Sequence, residues 1–115
     1  MSPARVLIVE DEMMIAMDMG DMLAEMGFEI VGPAAWLQRG LELARQESFD
    51  LAVLDVNLAG ETSFPIADIL RDRGIPFLFA TGYGAAGLTK TYAGTTTLQK
   101  PVEFSQLKDA IASLR

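Results

Sequence analysis

Glu10, Asp11, Asp55, Thr81 and Lys100 are the residues in this 115-residue chain whose types could do chemistry as a group. Histidine and cysteine are both absent, which excludes a thiol nucleophile, a disulfide framework, a Cys/His zinc site, a haem ligand and a histidine general base. Carboxylates, hydroxyls, amides and lysine remain. Carboxylates without nitrogen or sulfur donors suit a hard cation, Mg²⁺, Mn²⁺ or Ca²⁺. A lysine and a hydroxyl beside such a cation are the parts needed to hold a phosphoryl group.

Glu10 and Lys100 lie 90 positions apart, so only the fold can bring the group together, and the hydropathy pattern supplies such a fold. Arg5–Val9 is a compact apolar run suited to a strand buried on both faces, and it stops at Glu10, Asp11 and Glu12. Residues 13–27 carry Ile15, Met19, Met22 and Met26 at helical spacing, with Asp18, Asp21 and Glu25 on another face and Gly27 at the end. Phe28–Val31 reads as a second strand, and Ala35–Glu47 as a helix with Leu37, Leu41 and Ala44 inward. Leu51–Leu54 is a third strand followed by Asp55, and Pro65 opens a helix that ends near Gly74. Ile75–Ala80 is a fourth strand running into Thr81-Gly82-Tyr83-Gly84. Residues 85–93 make a poor helix, because Gly87, Thr89 and Thr91 have low propensity. Thr95–Gln99 is a fifth strand ending at Lys100-Pro101, and Glu103–Leu114 a closing helix with Phe104, Leu107, Ile111 and Leu114 on one face.

Five βα units in succession predict an α/β fold of one domain over residues 1–115. It is a three-layer, flavodoxin-like parallel sheet in the order 2-1-3-4-5, with helices on both faces. Ligands in such sheets sit at the carboxyl ends of the strands, which is where all five chemical residues fall. Three carboxylates about 5 Å apart repel by roughly 3 kcal/mol per pair at an effective dielectric near 20. A divalent cation would offset that cost.

The segments VLIVEDE, LAVLDVN, FATGY and QKP, in that order and spacing, resemble the receiver domain of bacterial two-component response regulators over essentially the whole chain. FATGYG is similar to the FAT-GUY group of receivers, and the chain resembles receivers found with HWE-type sensor kinases. The resemblance implies that Asp55 is the phosphoacceptor. It implies that Glu10, Asp11, Asp55 and the main-chain carbonyl of Asn57 hold Mg²⁺, with Mn²⁺ as the alternative. Thr81 and Lys100 would each bind a phosphoryl oxygen, and the Lys100-Pro101 bond would be cis. Asn57 and Tyr83 fall where hydrolysis is tuned in this family. One departure stands out: receivers usually carry Tyr or Phe three positions before the lysine, and here that residue is Thr97. The implied partner is a sensor histidine kinase, of HWE type, or a histidine phosphotransfer protein, with output through protein contacts. No enzymatic activity is expected beyond self-catalysed phosphoryl transfer and autodephosphorylation.

Nine basic against sixteen acidic residues leave a net charge of −7, which argues against a nucleic-acid surface. No apolar run approaches the ~20 residues that cross a membrane, so a cytoplasmic monomer or weak homodimer is expected. Two rival functions stay open. A haloacid-dehalogenase-type phosphatase also uses Asp, Thr or Ser, Lys and Mg²⁺, but its second Asp is replaced here by Asn57. A pseudo-receiver would bind partners without phosphorylation, a reading that Thr97 keeps alive. Six of the seven methionines lie in residues 13–26, where core filling is expected, Met13 and Met17 being the two that fall off the apolar stripe.

Overall fold

A computed structural model describes residues 3–82 and 92–114. Strand β1 (Arg5–Val9) buries Val6, Leu7, Ile8 and Val9 completely or nearly so. Successive side chains of a strand point to opposite faces, so an all-apolar strand needs cover on both. Val6 and Ile8 join one core with Met19, Leu23, Leu78, Leu107 and Ile111. Leu7 and Val9 join the other with Leu54, Ile66, Leu70 and Phe79. Helices α1 (Met13–Glu25) and α4 (Phe104–Leu114) cover the first core, and α2 (Leu37–Gln46) and α3 (Phe64–Arg73) the second. Each fully buried Leu or Ile contributes about 1.5–3 kcal/mol, so the sheet is the mechanical centre of the molecule.

The remaining strands are β2 (Glu29–Ala34), β3 (Leu51–Asp55), a two-residue pair β4 (Asn57–Leu58) and β5 (Glu61–Thr62), β6 (Phe77–Thr81) and β7 (Thr97–Gln99). The main sheet is parallel in the order β2-β1-β3-β6-β7. With the small antiparallel β4–β5 hairpin set aside, this is the 2-1-3-4-5 order expected from the alternation. The hairpin itself has no counterpart in the pattern reading. The weak helix expected over 85–93 falls mostly on residues outside those described. Of its end, Tyr92 opens a tight turn in which the Thr95 N–H donates to the Tyr92 carbonyl.

Boundaries differ where glycine, proline or exposure intervenes. β2 runs on to Ala34 through Gly32 and Pro33, three residues beyond Val31. An edge strand tolerates a proline that donates no ladder bond, and the pairing with β1 shifts register between Leu7 and Val9 to absorb it. Met19 is buried and Met22 and Met26 pack partly against the core, whereas Met13, Met14 and Met17 are all exposed. Core filling therefore holds for Met19, Met22 and Met26, Met13 and Met17 lie off the stripe as expected, and Met14 is the departure. Phe104 opens α4 37% exposed rather than facing the core.

Gly32 has φ +94°, and a Cβ there would sit 2.9 Å from the Ala34 nitrogen and 3.0 Å from the Ile8 oxygen. Both neighbours are backbone and cannot yield cheaply. Gly32→Ala is expected to cost about 3 kcal/mol in urea unfolding. Gly27→Ala is the control, since φ is similar but no atom lies within 4 Å, and about 1 kcal/mol is expected there.

Candidate functional site

Parallel register decides which residues meet. Val9 pairs with Leu54, Asp55 with Ala80 and Thr81 with Gln99. The residues at and just beyond those pairs, Glu10, Asp11, Asp55, Thr81 and Lys100, therefore gather at one edge of the sheet. They lie up to 90 positions apart in sequence, yet Glu10, Asp11 and Asp55 can each offer one carboxylate oxygen with all three oxygens within 4.8 Å of one another. Asp55, Asn57, Thr81, Gly82, Asp11 and Lys100 line an open cleft of ≈ 240 Å³.

The Lys100 ammonium lies 2.6 Å from Glu10 Oε2 and donates to Asp55 Oδ2 at 3.0 Å. Part of the carboxylate repulsion expected from the sequence is therefore already offset by Lys100. Glu10 Oε1 accepts the Glu12 N–H at 3.1 Å, and Asp55 Oδ1 the Asn57 N–H at 3.3 Å. Burial raises the Glu10 carboxyl to about 7, against the opposing pull of Lys100. Burial also raises Asp55 above the usual carboxylate range, again opposed by Lys100. For Lys100, burial acts downward, but its bonds to Glu10 and Asp55 prevail and hold it above its ordinary value. The pair and the lysine act as one unit: protonating Glu10 weakens its hold on Lys100.

Asp11 lies outside that triad. Its Oδ2 accepts the Ala59 N–H at 3.1 Å across the hairpin loop, where Ala59 takes a left-handed φ of 52°. Asn57 Oδ1 accepts the Gly60 N–H at 2.8 Å and closes the same loop. Sequence reasoning missed Ala59 and the hairpin, although Asn57-Leu58-Ala59-Gly60 carries the Asn and Gly signature of a turn. Thr81 is buried, and its carbonyl accepts the Lys100 N–H at 2.9 Å. The Lys100–Pro101 bond is cis. Thr97 is half-buried in β7, its Oγ1 donating to the Thr95 carbonyl at 3.0 Å. Tyr83 lies outside the described residues. Glu12 is exposed, lines the same cleft and donates its N–H to Glu10 Oε1.

Asp11 repels Asp55 and Glu10, and among the described residues no lysine or arginine forms an ion pair with it. Asp11→Asn keeps an acceptor for Ala59 and removes a charge. The metal-free variant is expected to gain about 1 kcal/mol in chemical unfolding, and divalent-cation affinity to fall at least tenfold. A less stable metal-free variant would show that Asp11 is there for the loop alone.

Comparison with known proteins bears on the whole site. The family model described as "Response regulator receiver domain" matches residues 6–112. The transcriptional regulatory protein PdtaR of Mycobacterium tuberculosis is 38% identical over 113 residues, covering 95% of this chain, which spans 55% of that protein's length. The solution structure of SdrG from Sphingomonas melonis Fr1 superposes with a TM-score of 0.87 at 37% identity, covering 99% of this chain and 98% of SdrG. A BeF3-activated conformation of SdrG, from Pseudomonas melonis Fr1, superposes with a TM-score of 0.82 at 37% identity, again covering 99% of this chain and 98% of SdrG.

Proposed function

We propose, because this chain belongs to the response regulator receiver domain family, that it is a phosphorylation-dependent switch of a two-component system with Asp55 as phosphoacceptor. The observation that carries the reading is the buried Asp55 carboxylate, facing an open cleft and held by Lys100 beside two further acids. An Asp55 oxygen attacks the phosphorus of a phosphohistidine, the new O–P bond forming as the N–P bond breaks and the imidazole leaves. Lys100 sits where it can follow the charge from the carboxylate to the transferred oxygens. The Thr81 hydroxyl is assigned to another of those oxygens. Release of the phosphoryl group is hydrolysis at the same phosphorus, with Asn57 and Tyr83 as the residues that tune it.

The donor set fits Mg²⁺ or Mn²⁺, being three carboxylates with oxygens within 4.8 Å and neither histidine nor cysteine in the chain. Glu10, Asp11, Asp55 and the Asn57 carbonyl would hold the ion, which supplies neutralisation of charge on the transferring group. The phosphodonor is a sensor histidine kinase, of HWE type, or a phosphotransfer protein, and the FAT-GUY character of residues 79–84 supports that pairing. Among the described residues no helix is long and apolar enough to cross a membrane, which accords with a cytoplasmic site of action.

The test is intact mass after incubation with acetyl phosphate. A gain of one phosphoryl group that requires Mg²⁺ supports the reading. No gain from acetyl phosphate or from any cognate kinase would leave the pseudo-receiver as the better account. A pH series adds a second check. Glu10 must lose its proton to bind the ion, and its pKa is about 7. Mg²⁺ affinity is therefore expected to fall by up to about tenfold per pH unit below 7 and to level off above it.

A further inference from the structure

Thr97 leaves β7 without the aromatic side chain that would be expected there, but a buried aromatic lies five residues upstream. Tyr92 is 2% exposed and is the largest fully buried side chain among the described residues. Its ring stacks on Phe64 at 5.2 Å and meets Phe79 edge-on at 5.7 Å and Phe77 at 6.0 Å. Its hydroxyl donates to the Asp68 carboxylate, and the Arg71 guanidinium lies 4.2 Å over the ring. Tyr92 thus ties three elements together: β6 through Phe77 and Phe79, α3 through Phe64, Asp68 and Arg71, and the turn into β7.

Two of those links lead to the phosphoacceptor site. Phe79 precedes Thr81 by two residues on β6, so both side chains lie on the same face of the sheet. β7 is also held to β6 at both ends, the Phe79 N–H donating to the Thr96 carbonyl and the Lys100 N–H to the Thr81 carbonyl, each at 2.9 Å. A displacement of Thr81 or Lys100 is therefore passed along a paired strand to the turn that Tyr92 opens. The outer end of the chain of contacts is exposed, since Asp68 and Arg71 are solvent-facing residues of α3. A buried tyrosine hydroxyl fixed by a surface carboxylate has two discrete states, bonded and released, which a relay requires and a purely apolar contact lacks.

We propose that Tyr92 is a positioning residue that couples the occupancy of Asp55 to the outer face of α3 through its bond to Asp68. This inference rests on Asp55 being the phosphoacceptor. Burial and the Asp68 carboxylate hold the Tyr92 phenol at about 12, so it stays a donor at any working pH.

The experiment uses the full chain labelled with 3-fluorotyrosine, which gives one signal each for Tyr83 and Tyr92, assigned with Tyr83→Phe. Mg²⁺ and beryllium fluoride are the probe, and the fluorine signal of the bound fluoride reports occupancy independently. On occupancy the Tyr92 signal is expected to shift by more than its linewidth. In Asp68→Asn, which alters an exposed position and leaves the core intact, that signal is expected to lie nearer its occupied position before any ligand is added. Bound fluoride with an unmoved Tyr92 signal would overturn the coupling and leave the phosphoacceptor reading standing. Absence of bound fluoride would overturn the phosphoacceptor reading and the coupling with it.

Discussion

Asp55→Asn is expected to abolish phosphorylation entirely, from one phosphoryl group per chain to none by intact mass. An amide oxygen lacks the nucleophilic charge of a carboxylate, and the neighbouring acids are poorly placed to substitute. Glu10 is committed to Lys100 at 2.6 Å and to the Glu12 N–H, and its raised pKa leaves it partly protonated at neutral pH. Asp11 accepts the Ala59 N–H through its Oδ2. Loss of activity through unfolding is not expected, because Asp55 is itself raised by burial and its removal relieves a desolvated charge. A variant that unfolds in urea like the parent yet takes up no phosphoryl group meets the expectation. Label recovered on Glu10 or Asp11 in the variant would reassign the acceptor.

Lys100→Met is expected to have the largest effect on stability, and one with a particular pH dependence. The lysine is the counter-charge of two buried carboxylates, and removing one partner of such a group costs about 3–5 kcal/mol. The residual carboxylates respond by taking up protons. Glu10 in the folded protein already titrates at about 7, above its ordinary 4.5, and without Lys100 it moves higher still. A carboxyl with a raised folded pKa contributes stability below its unfolded value and loses it as pH rises through the folded one. The deficit of Lys100→Met is therefore expected to be smaller near about pH 6 than near about pH 9, because it grows only where the parent's Glu10 has ionised and the variant's has not. Urea unfolding at the two pH values checks this, and an equal deficit at both would mean that the lysine stabilises through packing alone.

The parts of this fold that were legible in the sequence are those that one local rule governs. β1, β3 and β6 are nearly unbroken apolar runs, and only a strand with both faces covered uses such a run. Their ends were legible for the same reason, which is why Glu10, Asp11, Asp55 and Thr81 could be named together, whereas Lys100 joined them only through the place of β7 in the alternation. β2 was truncated because Gly32 and Pro33 look like a terminator, and only its place at the sheet edge makes them acceptable. The β4–β5 hairpin, with two residues in each strand, is too short for any periodicity to register. Met14 sits at helical spacing from Asp18 and Asp21, on the exposed side, and composition alone ranked it with the buried methionines. Tyr92 was invisible in a deeper sense. Its importance comes from rings and a carboxylate contributed by α3 and β6, and no feature of its neighbours in sequence announces them.

The distribution of charge along the chain has a kinetic consequence. Between Val6 and Gln38 there are seven acids and no lysine or arginine, so this stretch, with the acids after β1, in α1 and in β2, carries the whole net charge of −7, the other nine acids being matched by the nine bases. A molecule charged on one flank behaves in solution as a large dipole that turns that flank toward an approaching positive surface. Encounter with a basic partner on that side is accordingly faster in dilute buffer than at physiological ionic strength, where the field decays over about 8 Å. Once contact is made, its lifetime depends on packing rather than on the field. Salt should therefore change how often such partners meet this protein far more than how long they stay.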